Sequence, residues 1–445
     1  MNKFSRLGFI FAAAGSAVGL GNIWKFPYIT GEYGGGAFVI VYLLCIVFIG
    51  LVVFIAESYL GQTSEANVSS TFVKLSKSKN SNWKYSGFMV FGGLIILSFY
   101  SVVLGWILNY IFISFASLPE SSELAGSYFN SLVSEKIELQ IFFHTIIALI
   151  TIFIVLRGVK EGIEKINLIL MPLLGIILFG LLIYAVNLDS FSKSVEFMFS
   201  ANWNKIDENA LLAALGQAFF TLSLGIGTII TYAASLPKNE NFIKSSLYVA
   251  IVDTIIAIIA GLIIFAFLFE AGAESSAGPG LVFISLPVIF QQWGVLGNII
   301  AIAFFTALLF AGITSAVSMI EPPLMLFIER FNMTRKKAVV ICGSIFYSLG
   351  IIALLSMSNS FKDSLTFFGK NAFDWMDFLT SSISMPIAAI MTCIFLGYFV
   401  DKNKMRDKFT QHAPKIVFDI WYFLVKYLVP FAIAILLLNK IGVIK

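Results

Sequence analysis

The chain has 445 residues, of which 59% are hydrophobic and only 12% charged, with 46 Phe and a mean hydropathy of +0.92. That composition excludes an ordinary soluble domain. A formal charge of +4 is too small to point to nucleic acid as a partner.

A bilayer core takes roughly 20 apolar residues per helix, and eleven segments meet or approach that length. They are taken here as spans one to eleven: residues 7–30, 37–61, 87–116, 139–156, 163–186, 209–236, 243–269, 294–328, 338–358, 374–400 and 416–439. Continuous apolar runs without two-residue alternation exclude a barrel, so the reading is an all-α integral membrane protein. The first span follows Lys3 and Arg6 but leads into "NIWKFPYITGEYGGG" instead of a small-residue cleavage site, so it reads as a retained helix. Cys45, Cys342 and Cys393 lie inside apolar runs, without paired spacing or a nearby His, and read as core residues.

Most of the 29 Lys and Arg fall in alternate loops: Lys3 and Arg6; Lys74, Lys77, Lys79 and Lys84; Arg157, Lys160 and Lys165; Lys238 and Lys244; Arg330, Arg335, Lys336 and Lys337; and Lys402, Lys404, Arg406, Lys408 and Lys415. The excess of positive charge inside predicts a cytoplasmic N-terminus in a bacterial inner membrane, and eleven spans put the C-terminus outside.

Span one carries "VGLGNI" at residues 18–23 and span six "LGIGTI" at residues 224–229. Gly and Asn are poor helix formers, so both are places where a helix comes apart. Each alone also fits close helix packing by small residues, whereas a nucleotide fingerprint lacks its third glycine and its strand. Matched breaks five spans apart favour discontinuous helices around a midplane site. They also imply an inverted repeat: helices 1–5 over residues 1–190, helices 6–10 over 191–402, then a cytoplasmic loop and an eleventh helix over 403–445. An unwound stretch frees carbonyls for cations, and the helix restarting after it offers N–H groups to an anion.

The stretches "RLGFIFAAAGSAVGLGNIWKFPY", "GQAFFTLSLGIGTIITYAAS", "LLFAGITSAVSMIEPP" and "DWMDF" resemble the neurotransmitter:sodium symporter family, in its eleven-span bacterial form. The resemblance implies Na⁺-coupled amino acid symport by alternating access, with two Na⁺ sites. The first would use the Ala17 carbonyl, the Asn22 side chain, Thr221 and Asp253, and the second the carbonyls of Gly15, Val18 and Ala311 with the hydroxyls of Thr314 and Ser315. All are the oxygen ligands a hard cation prefers. The substrate carboxylate would meet the N–H groups of Leu20 and Gly21 and the Tyr100 hydroxyl. Its ammonium would meet the carbonyls of Ala17, Phe220 and Thr221 beside Ser223. Ile96, Ile226, Ser318 and Met319, next to Ser315, would receive an apolar or aromatic side chain. Gly19 stands where monoamine carriers of the family have an acid, which implies a substrate with its own carboxylate.

Asp253 is the sole charge from Ser245 to Phe269, which by depth alone is a functional candidate, although an Asp bonded to a neighbouring backbone is the plainer reading. Tyr42 and Gln217 match the family's chloride site, while Ala257 stands where some bacterial members have an acid. The expectation is that Asp253 supplies that negative charge and chloride is not required. Glu57 matches a family glutamate that receives freed N–H groups, and equally fits an interfacial carboxylate near Gln62 and Glu65. Lys25 and Asp377 match an outer gate, with Lys lacking the bidentate reach of Arg. At the inner gate Glu329 matches the acidic partner, or is a solvated helix-end charge. The family's Arg would precede Met1, leaving Arg6 or Lys3 to replace it.

Other readings keep the fold: a carrier of a betaine or taurine-like solute, or a non-transporting amino acid sensor. An enzyme needs a nucleophile with a base beside it, and His144 sits alone in span four with His412 in a loop, so no catalytic group and no further cofactor is expected.

Overall fold

The computed structural model describes residues 4–77, 81–273 and 278–443. Lys3 and Lys79 lie outside them. Among the described residues, nine helices are long and apolar enough to cross a bilayer: Gly36–Ser64, Asn82–Ile113, Ile137–Leu156, Val159–Val186, Phe242–Glu270, Gly294–Phe331, Arg335–Leu355, Ala372–Phe399 and Lys415–Lys440. These are spans two to five and seven to eleven, helices being the form in which a lipid-spanning segment meets its own backbone hydrogen bonds.

Span one is a bent pair instead. Arg6–Ala17 and Gly21–Glu32 meet at 47°, with Val18 in an extended conformation between them. Span six is likewise two helices, Glu208–Thr221 and Thr228–Ala234. Between these, Ser223, Gly225 and Gly227 take φ of +52°, +77° and +79°. Two glycines in three residues make that left-handed path accessible, and Ser223 follows at a cost glycine would not incur.

The helix starts are set by short polar side chains at the loop ends. Ser5 accepts the Gly8 N–H at 2.9 Å, Asp207 the Ala210 N–H at 2.7 Å and Asn241 the Lys244 N–H at 2.9 Å, each satisfying a first-turn donor that the helix cannot. The Ala210 N–H also holds the Asp207 carboxyl below the usual carboxylate range.

The first half of span one packs against spans five, seven and eight and the second half of span six. Its "AAAGSA" face is fully buried, and these small side chains let four neighbours approach the place where the helix breaks. Span six's break is pinned from span two: the Gly225 N–H donates to Glu57 Oε1 at 2.9 Å, and Glu57 is completely buried. It is therefore not an interfacial carboxylate. Short helices, Val68–Leu75, Ser122–Ser134, Phe191–Phe199, Ser285–Gln292 and Lys402–Thr410, fill the connections, and a hairpin pairs Thr366–Phe367 with Lys370–Asn371 between spans nine and ten.

A Cβ at Gly225 would lie 2.3 Å from the Met385 carbonyl oxygen, on backbone already in the left-handed region. Gly225→Ala is therefore expected to destabilise the protein by about 1–3 kcal/mol and to lower its melting temperature in detergent, whereas Gly180→Ala, within a helix and with open space around it, leaves melting unchanged or slightly raised.

Candidate functional site

The two breaks face each other, and the polar groups they release gather between them. Asn22, just after the first break, donates from Nδ2 to Asp253 Oδ1 at 2.7 Å and to the Asp253 carbonyl at 3.0 Å, while its Oδ1 accepts the Gly19 N–H at 2.9 Å. Thr221, ending the first half of span six, places its hydroxyl 3.0 Å from both Asp253 oxygens. Asn22 and Asp253 are fully buried and Thr221 nearly so. No cationic side chain among the described residues forms an ion pair with Asp253. A buried carboxylate held only by an amide and a hydroxyl is electrostatically incomplete, and a cation completes it.

A second cluster lies on the other side of the span-one break. The Ser315 hydroxyl is 3.2 Å from the Gly15 carbonyl, 3.4 Å from that of Ser16, 3.3 Å from that of Val18 and 3.1 Å from that of Ala311. One proton can serve only one of these oxygens. Thr314 turns instead to its own helix, 2.9 Å from the Ala311 carbonyl, so the adjacent hydroxyls divide between back-bonding and reaching across. Together these residues form a neutral oxygen cluster.

Between the clusters is a small cavity lined by Ala17, Gly19, Leu20, Gly21, Ile96, Tyr100, Phe220, Thr221, Ser223, Ile226, Ser315 and Met319, all expected from sequence, together with Ser16 and Met385, which were not. Ser318 does not join them. Its hydroxyl pairs with that of Ser16 at 2.8 Å and with the Ser315 carbonyl at 2.8 Å, so it braces the lining from behind. The Leu20 N–H points at the Tyr100 hydroxyl oxygen, 3.5 Å away, and the Ser223 hydroxyl donates to the Ser16 carbonyl at 2.7 Å, joining the two breaks. A Cβ at Gly19 would sit 2.7 Å from Ser315 Oγ and 3.2 Å from the Tyr100 oxygen. No acidic side chain fits there without displacing both.

The cavity measures about 20 Å³, the room of a single water. Beyond it opens a vestibule of about 260 Å³ lined by Lys25, Glu32, Asp377 and Lys440 among others. Phe220 and Met385 line both spaces and so form the partition between them. Met385 has no motif around it, and only its place on span ten brings it to the site.

The expected gate pairs are not formed. Lys25 and Asp377 share the vestibule, yet Lys25 Nζ sits over the Phe220 ring, 4.6 Å from its centroid, and Asp377 accepts from the Ser381 hydroxyl at 2.8 Å. Arg6 pairs loosely with Glu240 at 3.5 Å, while Glu329 accepts the backbone N–H of Asn67 at 2.7 Å and its side-chain amide at 2.8 Å. Glu329 is exposed at the end of span eight, as the solvated reading expects, and is also tied to the loop after span two. Of the chloride-site equivalents, Gln217 donates to the Gly21 carbonyl at 2.7 Å, and the Tyr42 hydroxyl and Gln217 Oε1 are buried without hydrogen-bond partners.

A further buried pair went unread in the sequence. Glu321, fully buried in span eight, takes a two-pronged contact from Arg335 at 3.0 and 2.6 Å, and the Arg335 Nε–H donates to the Val155 carbonyl at 2.6 Å. Spans four, eight and nine are tied at one point. The available signal was an acid within an apolar run, "SMIEPP".

Broken helices around polar clusters and a small cavity between them define a membrane carrier, not an enzyme. The chain belongs to the sodium:neurotransmitter symporter family, whose model matches residues 2–135 and 129–445, and so to the sodium-dependent transporters. It is 34% identical over 445 residues to an uncharacterized sodium-dependent transporter of Bacillus subtilis (strain 168), YhdH, covering 99% of this chain and 97% of that one. It is 25% identical over 426 residues to a sodium-dependent nutrient amino acid transporter of Drosophila yakuba, covering 78% of this chain and 64% of that one. Its fold matches the crystal structure of MhsT in complex with L-phenylalanine at a TM-score of 0.89 and 40% identity, over 99% of this chain and all of the other.

Arg335→Ala leaves the Glu321 carboxylate buried and alone, and is expected to cost about 3–5 kcal/mol. Thermal unfolding in detergent should show the loss, with most of it recovered in the double variant Glu321→Leu with Arg335→Leu, which removes both charges.

Proposed function

We propose that this protein couples the inward movement of Na⁺ to uptake of an apolar or aromatic amino acid across the bacterial inner membrane, by alternating access between two inverted five-helix halves. The observation that carries the reading is the Asp253 carboxylate, buried between Asn22 and Thr221 with no Lys or Arg paired to it among the described residues. An inward Na⁺ gradient supplies its partner, and Ala17, Asn22, Thr221 and Asp253 form the first site. The second takes the carbonyls of Gly15, Val18 and Ala311 with Thr314 and Ser315. Counting span six as one broken helix gives eleven spans, with the basic loops and N-terminus cytoplasmic.

The N–H groups of Leu20 and Gly21 head the restarted helix and, with the Tyr100 hydroxyl that the Leu20 N–H now meets, hold the substrate carboxylate. The bare Gly19 leaves that negative charge to the substrate, which is why an amino acid fits better than a monoamine. Ile96, Ile226, Met319 and Met385 offer an apolar, adaptable chamber, consistent with the phenylalanine in MhsT. Entry requires Phe220 and Met385 to swing aside. Lys25, now on the Phe220 ring, then closes towards Asp377, while release inside parts Glu329 from Asn67.

Each Na⁺ crossing 100 mV contributes about 2.3 kcal/mol, so two ions sustain roughly a thousandfold accumulation. The coupling arises because the substrate carboxylate and Asp253 together favour the cation in one state more than the other. Asp253 also provides the negative charge near Tyr42 and Gln217, making transport independent of chloride.

The test is uptake of a radiolabelled amino acid panel into proteoliposomes, with Na⁺ or K⁺ outside and with or without chloride. Accumulation of apolar or aromatic amino acids that needs Na⁺ and ignores chloride is expected. Uptake of betaine or taurine alone would reassign the cargo, and binding without flux would make the protein a sensor. Asn22→Ala should raise the Na⁺ concentration for half-maximal amino acid binding about tenfold or more; an unchanged Na⁺ dependence would remove Asn22 from the first site.

A further inference from the structure

Asn167 lies on span five, fully buried, where no part of the transport reading uses it. Its Nδ2 donates to the Ile163 carbonyl four residues back at 2.8 Å. That bond turns Oδ1 away from its own helix, and Oδ1 has no hydrogen-bond partner. An unsatisfied amide oxygen at zero exposure is costly and calls for a physical reason.

The oxygen is pressed against the backbone of Gly15. A Cβ at Gly15 would lie 1.9 Å from Asn167 Oδ1 and 3.0 Å from Thr314 Cβ. The amide oxygen and the Thr314 side chain thus converge on the same side of one glycine. That glycine's carbonyl is 3.2 Å from Ser315 Oγ, within the neutral oxygen cluster already described. Only the absence of a side chain at Gly15 allows the amide to come so close. The Gly15 N–H is spent within its own helix, so the protein itself offers this oxygen no donor there.

We propose that Asn167 is part of the second Na⁺ site, contributing its amide oxygen from span five to the oxygens of spans one and eight. The inference rests on the reading of that cluster as a cation site. A hard cation takes neutral carbonyl and amide oxygens alike, and the i−4 bond aims this one in advance, so little ordering remains when the ion arrives. Span five packs against both partner spans, which gives the site three supports where the motif residues alone provide two.

The test is a Na⁺ titration of thermal stability for the full-length protein in detergent, with K⁺ balancing ionic strength and no amino acid added. Asn167→Ala is expected to raise the half-effective Na⁺ concentration roughly three- to tenfold. Asn167→Asp keeps an oxygen in place and adds charge, so it should lower that concentration. If Asn167→Ala does not fold, an Asn167→Asp midpoint equal to the wild type overturns the proposal. An unchanged midpoint for Asn167→Ala, while the double variant Thr314→Ala with Ser315→Ala shifts it, also overturns the role of Asn167 and leaves the site standing. If neither variant moves the midpoint, the second site itself falls.

Discussion

In a membrane every backbone polar group must find a partner inside the protein, and two helices of this chain break that rule at mid-depth. The rest of the architecture answers the breach. Glu57 reaches from span two to take the Gly225 N–H, Asn22 folds back to take that of Gly19, and the Ser223 hydroxyl crosses to the Ser16 carbonyl. Structural repair and binding capacity are therefore one problem, solved by the same dozen residues.

The compensation is deliberately partial. Asp253 is bonded by an amide and a hydroxyl but by no charge, and Ser315 faces four carbonyls with one proton. By contrast, Glu321 is matched on both oxygens by Arg335, whose Nε–H is in turn taken by the Val155 carbonyl. An incomplete carboxylate is a place for an ion, while a complete one is a fastening. The difference separates the moving centre from the scaffold of spans four, eight and nine more clearly than burial does, since all these carboxylates are buried alike.

The closed state of the cavity follows from the same economy of space. Gly19 admits no side chain, and Phe220 and Met385 cap what remains. Lys25 rests on the Phe220 ring in place of its expected acidic partner, because the ring lies between it and the site while Asp377 is taken up by Ser381. On the opposite side Asn67 satisfies Glu329, so Arg6 is left with an exposed contact that contributes little.

Much was legible in the chain read alone. Apolar length located the spans to within a few residues, since lipid imposes length directly on sequence. Two glycine-rich interruptions marked the breaks, and the motif residues around them converge on one region. What the sequence could not supply was which buried polar groups meet. Arg335 and Glu321, Asn167 and Gly15, and Met385 at the roof come from different spans, and in an apolar helix nothing in the local pattern says which neighbour a face will touch. Length and backbone propensity are local properties, so the sequence determined them by itself; the pairing of charges and hydrogen bonds depends on helix rotation and packing, and only the tertiary structure decided it.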